Sequence, residues 1–372
     1  MSRIKASLKT AASRGFRFTG VDRLIGTLTG TAKIPTVISY HRVVENLENS
    51  SRSSILSMLI STRMFEQHLD WIGHHYEFLS LDDIGSRLES GKDFPKPTAA
   101  IAFDDGYADV YHNAFPLLVK KGIPASVFVV TGLVGTKQMQ LHDKLYLALQ
   151  SAFVNARQTS RQIVEHLRNA DITTSRMEAI GRMDAEAFPV MAALLDDMPQ
   201  AQANRMVQVL EARFGLGEGH HEGLSSLSWE MLREMRSAGM TIGSHTRTHA
   251  LLTNESSENV IEETTRSRQD LEDRLGVKAQ QFAYPDGRYN ADATAAVAAA
   301  GYRFAYGTCR HRDPDHPLMT IPRKVLWENA AVDSEGRFSA AMMACQMNWV
   351  FDLGSTCAHD HKRRTPRVMA HT

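Results

Sequence analysis

The sequence predicts a parallel α/β fold interrupted by a long helical stretch. Three observations predict it. Mainly apolar runs such as Thr98–Phe103 and Ala125–Val130 suit strands buried on both faces. These runs alternate with segments of helical spacing, the pattern of strand–helix–strand units. Between about Lys137 and Gly223 the strand runs stop while helical spacing continues through Leu145, Leu149 and Phe153, then Ile163, His166 and Leu167, then Met206, Val209 and Leu210.

The chain of 372 residues is long enough to bury a sizeable core. Its 42 basic and 42 acidic residues cancel, which excludes a global pull toward nucleic acid. Cys309, Cys345 and Cys357 are odd in number and widely spaced, giving neither a disulfide framework nor a cysteine zinc site. No apolar run approaches the roughly 20 residues of a membrane span.

In chain order, Arg3, Lys5, Lys9, Arg14 and Arg17 precede the first acid, Asp22. They interrupt any apolar segment, so a secretory signal is not expected. Residues 1–30 read as a basic helical segment, packed on the main domain or touching a membrane peripherally. Residues 35–41 read as a strand ending in His41, and the serine-rich 45–61 as a loop. Phe65, Leu69 and Ile72 mark a helix, and Ser80 or Asp82 caps another that stops at Gly91. The strand ending at Phe103 leads into Asp104-Asp105-Gly106, then a helix stopped by Gly122, then the strand of residues 125–130.

After the helical stretch, Ser228 caps a helix, and a strand from Met240 ends at Ser244-His245. A charged helix over 255–275 follows, then a strand over 281–284 ending in the Pro285-Asp286-Gly287 turn. Ala291–Ala300 is a helix, and residues 304–306 and 321–325 are the last strands. The tail from His359 to Thr372 lacks periodicity and reads as disordered, and His220 and His221 read as solvent-facing linker residues. The expected division is 1–30, 31–136 and 224–330 as two halves of one domain, 137–223 as a helical insertion, and 331–372 as a C-terminal extension.

Parallel α/β folds place active groups at the C-terminal ends of strands. His41, Asp104-Asp105, His245 through His249 and Asp286 all fall there. Adjacent aspartates on a strand diverge unless the chain turns, and Gly106 permits a turn. His245 and His249, four residues apart, can face one point. Two histidines and a carboxylate leave a coordination position open for water, the pattern of a catalytic zinc site.

Ile101–Gly106 resembles the first motif of the polysaccharide deacetylases (NodB-homology enzymes, carbohydrate esterase family four). Ser244–His249 resembles their second motif with one extra residue, and Phe282–Gly287 resembles the third. The resemblance covers about residues 35–135 and 225–328. It implies a distorted (β/α)7-type barrel and removal of N-acetyl groups from a polysaccharide, oligosaccharide or glycolipid intermediate. It implies Asp104 as catalytic base and Asp105, His245 and His249 as ligands of a divalent metal, expected to be zinc. The arginine that usually orients the base is replaced by Ala283, and Arg323 is preferred to Arg288 as its substitute. The usual C-terminal acid motif is missing, and His359 lies in the unstructured-looking tail. His41, in Ser39–Val43, resembles the acid of the poly-N-acetylglucosamine deacetylase subgroup.

Tyr107, Pro285 and Asp286 are expected to contact substrate, and Tyr289 and Trp327 are further candidates for stacking on sugar rings. The expected partner is an acetylated glycan or glycolipid, and the expected location is cytoplasmic or at the inner membrane surface. Two competing readings are a hydrolase of non-sugar amides or O-acetyl esters, and a non-catalytic glycan-binding or assembly protein.

Overall fold

The computed structural model describes residues 3–28, 34–217, 221–310, 312–353 and 361. His220 and the tail from His359 lie outside them except for His361, as do residues 29 and 30 of the N-terminal segment. The His221 side chain is likewise not described.

The strands are β1 (Thr36–Tyr40), β2 (Arg42–Val44), β3 (Leu59–Ser61), β4 (Glu77–Phe78), β5 (Thr98–Phe103), β6 (Ala125–Val129), β7 (Thr241–Ser244), β8 (Gln281–Ala283), β9 (Phe304–Gly307) and β10 (Ile321–Val325). All but β2 and β3 form a parallel sheet in the order β1-β10-β9-β8-β7-β6-β5-β4, and β1 pairs with β5. That last pairing closes a seven-stranded barrel, leaving β4 as a short appendage on β5. Closure removes the exposed edges of an open sheet.

Alternation along each strand builds two apolar layers. Val37, Ala100, Ala102, Phe128, Ala283, Phe304, Tyr306 and Ile321 fill the barrel interior. Ile38, Ala99, Ile101, Phe103, Val127 and Phe282 pack outward under the surrounding helices. The small alanines of β5 leave room inside for the rings of Phe128 and Tyr306, so Phe128→Ala would cost about 3–5 kcal/mol through cavity formation. The helix Leu81–Glu89, capped by Ser80, plugs the lower end. Its Asp82 accepts from Thr241 and Gln281 at 3.0 and 2.6 Å, at the first residues of β7 and β8. Polar groups therefore collect at the upper end.

The helical stretch folds around its own core, with Leu145, Leu149, Ile163, Leu167, Val190, Leu194, Met206 and Leu210 buried together. Arg288 ties it to the barrel by donating to the Asp196 carboxylate and carbonyl at 3.0 and 2.9 Å.

Residues 45–61 are more ordered than their composition suggests. Asn46 caps the helix Leu47–Ser51, and β3 pairs in parallel with β2. Polar residues at the surface mask Ile55, Leu59 and Ile60, which are buried. The extension holds a helix, Ala340–Met347, buried along nearly its whole length. It packs beneath the N-terminal helices α1 (Arg3–Thr19) and α2 (Val21–Leu28).

Candidate active site

Asp104 follows the last residue of β5 and sits inside the barrel mouth, 1 % exposed. The Arg323 guanidinium, rising from β10 in the interior, donates through Nη1 to Asp104 Oδ1 and through Nη2 to the Tyr284 carbonyl at 2.9 Å. Ser39 of β1 donates to Asp104 Oδ2 at 2.9 Å. A buried carboxylate is tolerated only when paired and hydrogen-bonded, and here both oxygens are engaged. Ala283 stands beneath this group in the interior layer, and the guanidinium arrives from a strand two places away in the sheet. Arg288 points instead to Asp196.

Asp105 turns the other way because its own backbone is left-handed, at φ 69°. The sequence placed the turn on Gly106, which is also at φ 69°. Non-glycine residues rarely adopt this conformation, and it concentrates at functional sites. The Gln140 amide holds the Asp105 carbonyl at 2.9 Å. His245 and His249 reach the same carboxylate from a loop in which Thr246 and His249 are both left-handed, at φ 64° and 63°. Their Nε2 atoms lie 3.4 and 3.2 Å from Asp105 Oδ1.

These donors fit a divalent cation. One ligand atom from each of Asp105, His245 and His249 lies within 4.8 Å of the others. His245 Nδ1 donates to the Ala283 carbonyl at 2.7 Å, which fixes the tautomer and aims the Nε2 lone pair at Asp105. Burial pushes the His245 ring down to about 3, so the ring is neutral, the form in which an imidazole can bind a metal. Burial would raise Asp105, but the hydrogen bond and charge of His249 hold it well below the usual carboxylate range. Burial would lower His249, but Asp105 pushes it up.

The sequence reading missed His142. The first helix of the insertion, Leu141–Gln150, carries His142 Nε2 to 3.8 Å from Asp105 Oδ2, its ring 5.0 Å from that of His249. Burial lowers the His142 pKa. Tyr107 donates to Asp143 at 2.6 Å, and its oxygen lies 2.9 Å from His142 Nε2. The Arg42 guanidinium stacks 5.1 Å from the Tyr107 ring and donates to Asp109 at 2.7 Å. Tyr107 is thus a buried strut behind His142 and Asp143 and offers no face to a sugar ring, contrary to the expectation from sequence.

A cavity of about 470 Å³ opens over these groups. His41, Asp104, Asp105, His142, His245, His249, Asp286, Arg323 and Trp327 line it. His41 Nε2 is 4.0 Å from Asp104 Oδ2, and its buried Nδ1 has no hydrogen-bond partner among the described residues. Asp286, left-handed at φ 58°, reaches the cavity, whereas Pro285 is buried beside it. Tyr289 is buried under the His361 ring, stacked at 4.2 Å, and does not line the cavity. Ile55, Met58, Phe188, Met191, Leu195 and Met198 make an apolar wall, mostly from the insertion.

Known proteins share this fold. A segment of 116 residues is 35 % identical to the poly-beta-1,6-N-acetyl-D-glucosamine N-deacetylase of Staphylococcus aureus, covering 29 % of this chain and 40 % of that protein. The chain thus matches well under two thirds of its curated relatives' length. The fold matches Streptococcus pyogenes deacetylase PplD in complex with acetate, with a TM-score of 0.51 and 19 % identity over 82 % of this chain and 96 % of that one. IcaB from Ammonifex degensii matches with a TM-score of 0.50 and 20 % identity over 85 % and 97 %. The sequence profile of the polysaccharide deacetylases matches residues 91–173 and 184–305, more than half of the chain and both motif-bearing parts of the barrel, so the chain belongs to the polysaccharide deacetylase family.

Proposed function

We propose that this protein is a divalent-metal-dependent N-deacetylase of an N-acetylated glycan, with β-1,6-linked N-acetylglucosamine polymers as the first substrate class to test. The observation that carries this reading is one cavity holding the Asp105–His245–His249 donor set beside a separately supported Asp104.

In this reading Asp105, His245 and His249 hold the metal, expected to be zinc from its carboxylate and imidazole donors. When bound, such a cation acidifies water and polarises an acyl carbonyl. Asp104 takes the proton of the attacking water at Oδ2, where the single hydrogen bond from Ser39 leaves a lone pair, while Oδ1 is paired with the Arg323 guanidinium. Arg323 and Ser39 fix the carboxylate plane and act as positioning residues. His41, its Nε2 4.0 Å from Asp104 Oδ2, protonates the departing amine. Asp286 and Trp327 contact the sugar at the rim. His142, Gln140 and Tyr107 keep Asp105 in its left-handed turn.

The apolar wall favours a second reading, hydrolysis of a non-sugar amide or an O-acetyl ester. The binding-protein reading loses its main support, since Arg323 makes the contact to Asp104 that Ala283 cannot. Acetate release from β-1,6-linked N-acetylglucosamine oligomers by the zinc-loaded full chain, compared with Asp104→Asn, separates these readings. Release by wild type and its loss in the variant supports the proposal. Hydrolysis of small acetyl amides or esters alone supports the second reading, and hydrolysis of nothing overturns both.

A further inference from the structure

Helices α1 and α2 are amphipathic with their faces reversed. A surface helix ordinarily turns its apolar stripe to the core. In α1 the residues turned inward are polar. Thr10 and Ser13 are buried, and Ser13 Oγ lies 3.1 Å from Met342 Sδ. Lys9 and Arg17 are half-buried beside them, over the rings of Phe351 and Trp71 at 4.0 and 5.6 Å. The stripe at helical spacing, Leu8, Ala11, Ala12, Gly15 and Phe18, faces out. Helix α2 repeats the reversal in part, with Val21 and Ile25 half-buried. Its buried residues are Asp22 and Gly26, both against Asn348. A Cβ on Gly26 would lie 2.6 Å from the Asn348 side-chain oxygen, so this seat is tight. Leu24 and Leu28 point away.

The exposure is large and concentrated. Leu8, Phe16, Phe18, Leu24 and Leu28 are 65, 37, 93, 57 and 77 % exposed. They are five of the eleven large hydrophobic side chains exposed among the described residues, gathered within two adjoining helices. Such a cluster marks an interaction surface rather than the scattered exposure normal for a soluble face.

Charge selects the partner. The exposed charged side chains described on these helices are Arg14 and Arg23, while α1 has no acid and Asp22 is buried. A symmetric contact with a second copy would bring the same basic residues together on one patch. An anionic bilayer meets both features, its interior accepting the apolar side chains and its phosphates the arginines. No helix among the described residues is long and apolar enough to cross a membrane, so the helices would lie in the interface. We propose that α1 and α2 form an interfacial anchor. Leu8, Phe16, Phe18, Leu24 and Leu28 sink into the headgroup–acyl boundary of an anionic membrane, with Arg14 and Arg23 at the level of the phosphates. This inference does not depend on the deacetylase reading.

The test is co-sedimentation of the full chain with extruded vesicles of phosphatidylcholine alone or of equimolar phosphatidylcholine and phosphatidylglycerol. The wild type should pellet with the phosphatidylglycerol vesicles. Partitioning should fall by about tenfold or more for Phe18→Ser/Leu24→Ser/Leu28→Ser, and severalfold for Arg14→Glu/Arg23→Glu. Thermal unfolding of each variant should stay close to wild type, because the altered side chains are exposed. Wild-type protein left in the supernatant, or a triple serine variant that pellets like wild type, overturns the proposal. So does a wild-type dimer, measured by light scattering, that the triple variant dissociates, because a second copy then covers this face.

Discussion

The floor and the wall of the cavity are built differently. The floor stands on the ends of β1, β5, β7 and β10, where buried polar groups are locked by partners such as Arg323 on Asp104 and the Ala283 carbonyl on His245. The wall comes mostly from the helical insertion and is apolar, with Phe188 45 % exposed. The floor can do chemistry because its groups cannot relax, whereas the wall can change side chains without disturbing the barrel core. If so, floor substitutions should reduce turnover, and wall substitutions should alter which substrate is held. His142 is the exception that joins them, since it arises from the insertion yet touches the floor.

The largest effect is expected at Asp104. Asp104→Asn should lower kcat by about 10²–10⁴-fold, the usual contribution of a general base, with zinc content unchanged. Arg323→Lys should come next. Lysine cannot span both the Asp104 carboxylate and the Tyr284 carbonyl with a planar fork, so kcat should fall about 10- to 100-fold while KM moves little. Removing the joint between floor and wall with His142→Phe should weaken zinc affinity by about 10- to 100-fold, measured against a competing chelator, with a smaller loss of zinc-saturated activity. Phe188→Ala should leave kcat within about twofold and change KM severalfold. A large fall in kcat from Phe188→Ala would break the division of labour.

A stability test addresses the layer outside the floor. His68 is buried against Tyr40, with its Nδ1 3.1 Å from the hydroxyl, and burial pushes it down to about 3 from an ordinary 6.5. The unfolded chain therefore takes up a proton between these values that the folded chain refuses. Stability from this group is full above pH 6.5 and is lost as pH falls toward 3. His68→Gln should flatten that part of the stability curve, followed by urea unfolding at several pH values.

The floor was largely legible in the sequence. Asp104, Asp105, His245 and His249 lie in short local motifs at strand ends, and Arg323 was nameable because Ala283 left a role unfilled. The rest depended on tertiary approach. His142 has no motif around it and meets Asp105 only because Gln140 and Tyr107 fold the start of the insertion onto the strand end. Tyr107 looked like an exposed aromatic beside a catalytic pair, and nothing local showed that Arg42, 65 positions earlier, would cover its ring. The pairing of β2 with β3 was hidden by the serines around it. The closed barrel came from the resemblance, because alternating strands and helices do not by themselves distinguish a barrel from an open sheet.

The claim at the centre of this account is that the two adjacent aspartates have different duties. Calorimetric titration of zinc into the metal-stripped full chain, repeated for Asp105→Ala and Asp104→Asn, tests it directly. The account predicts one zinc ion per wild-type chain, loss of tight binding in Asp105→Ala, and retention of it in Asp104→Asn. Equal zinc affinity in Asp105→Ala and wild type, or no zinc binding by any of the three, would contradict it.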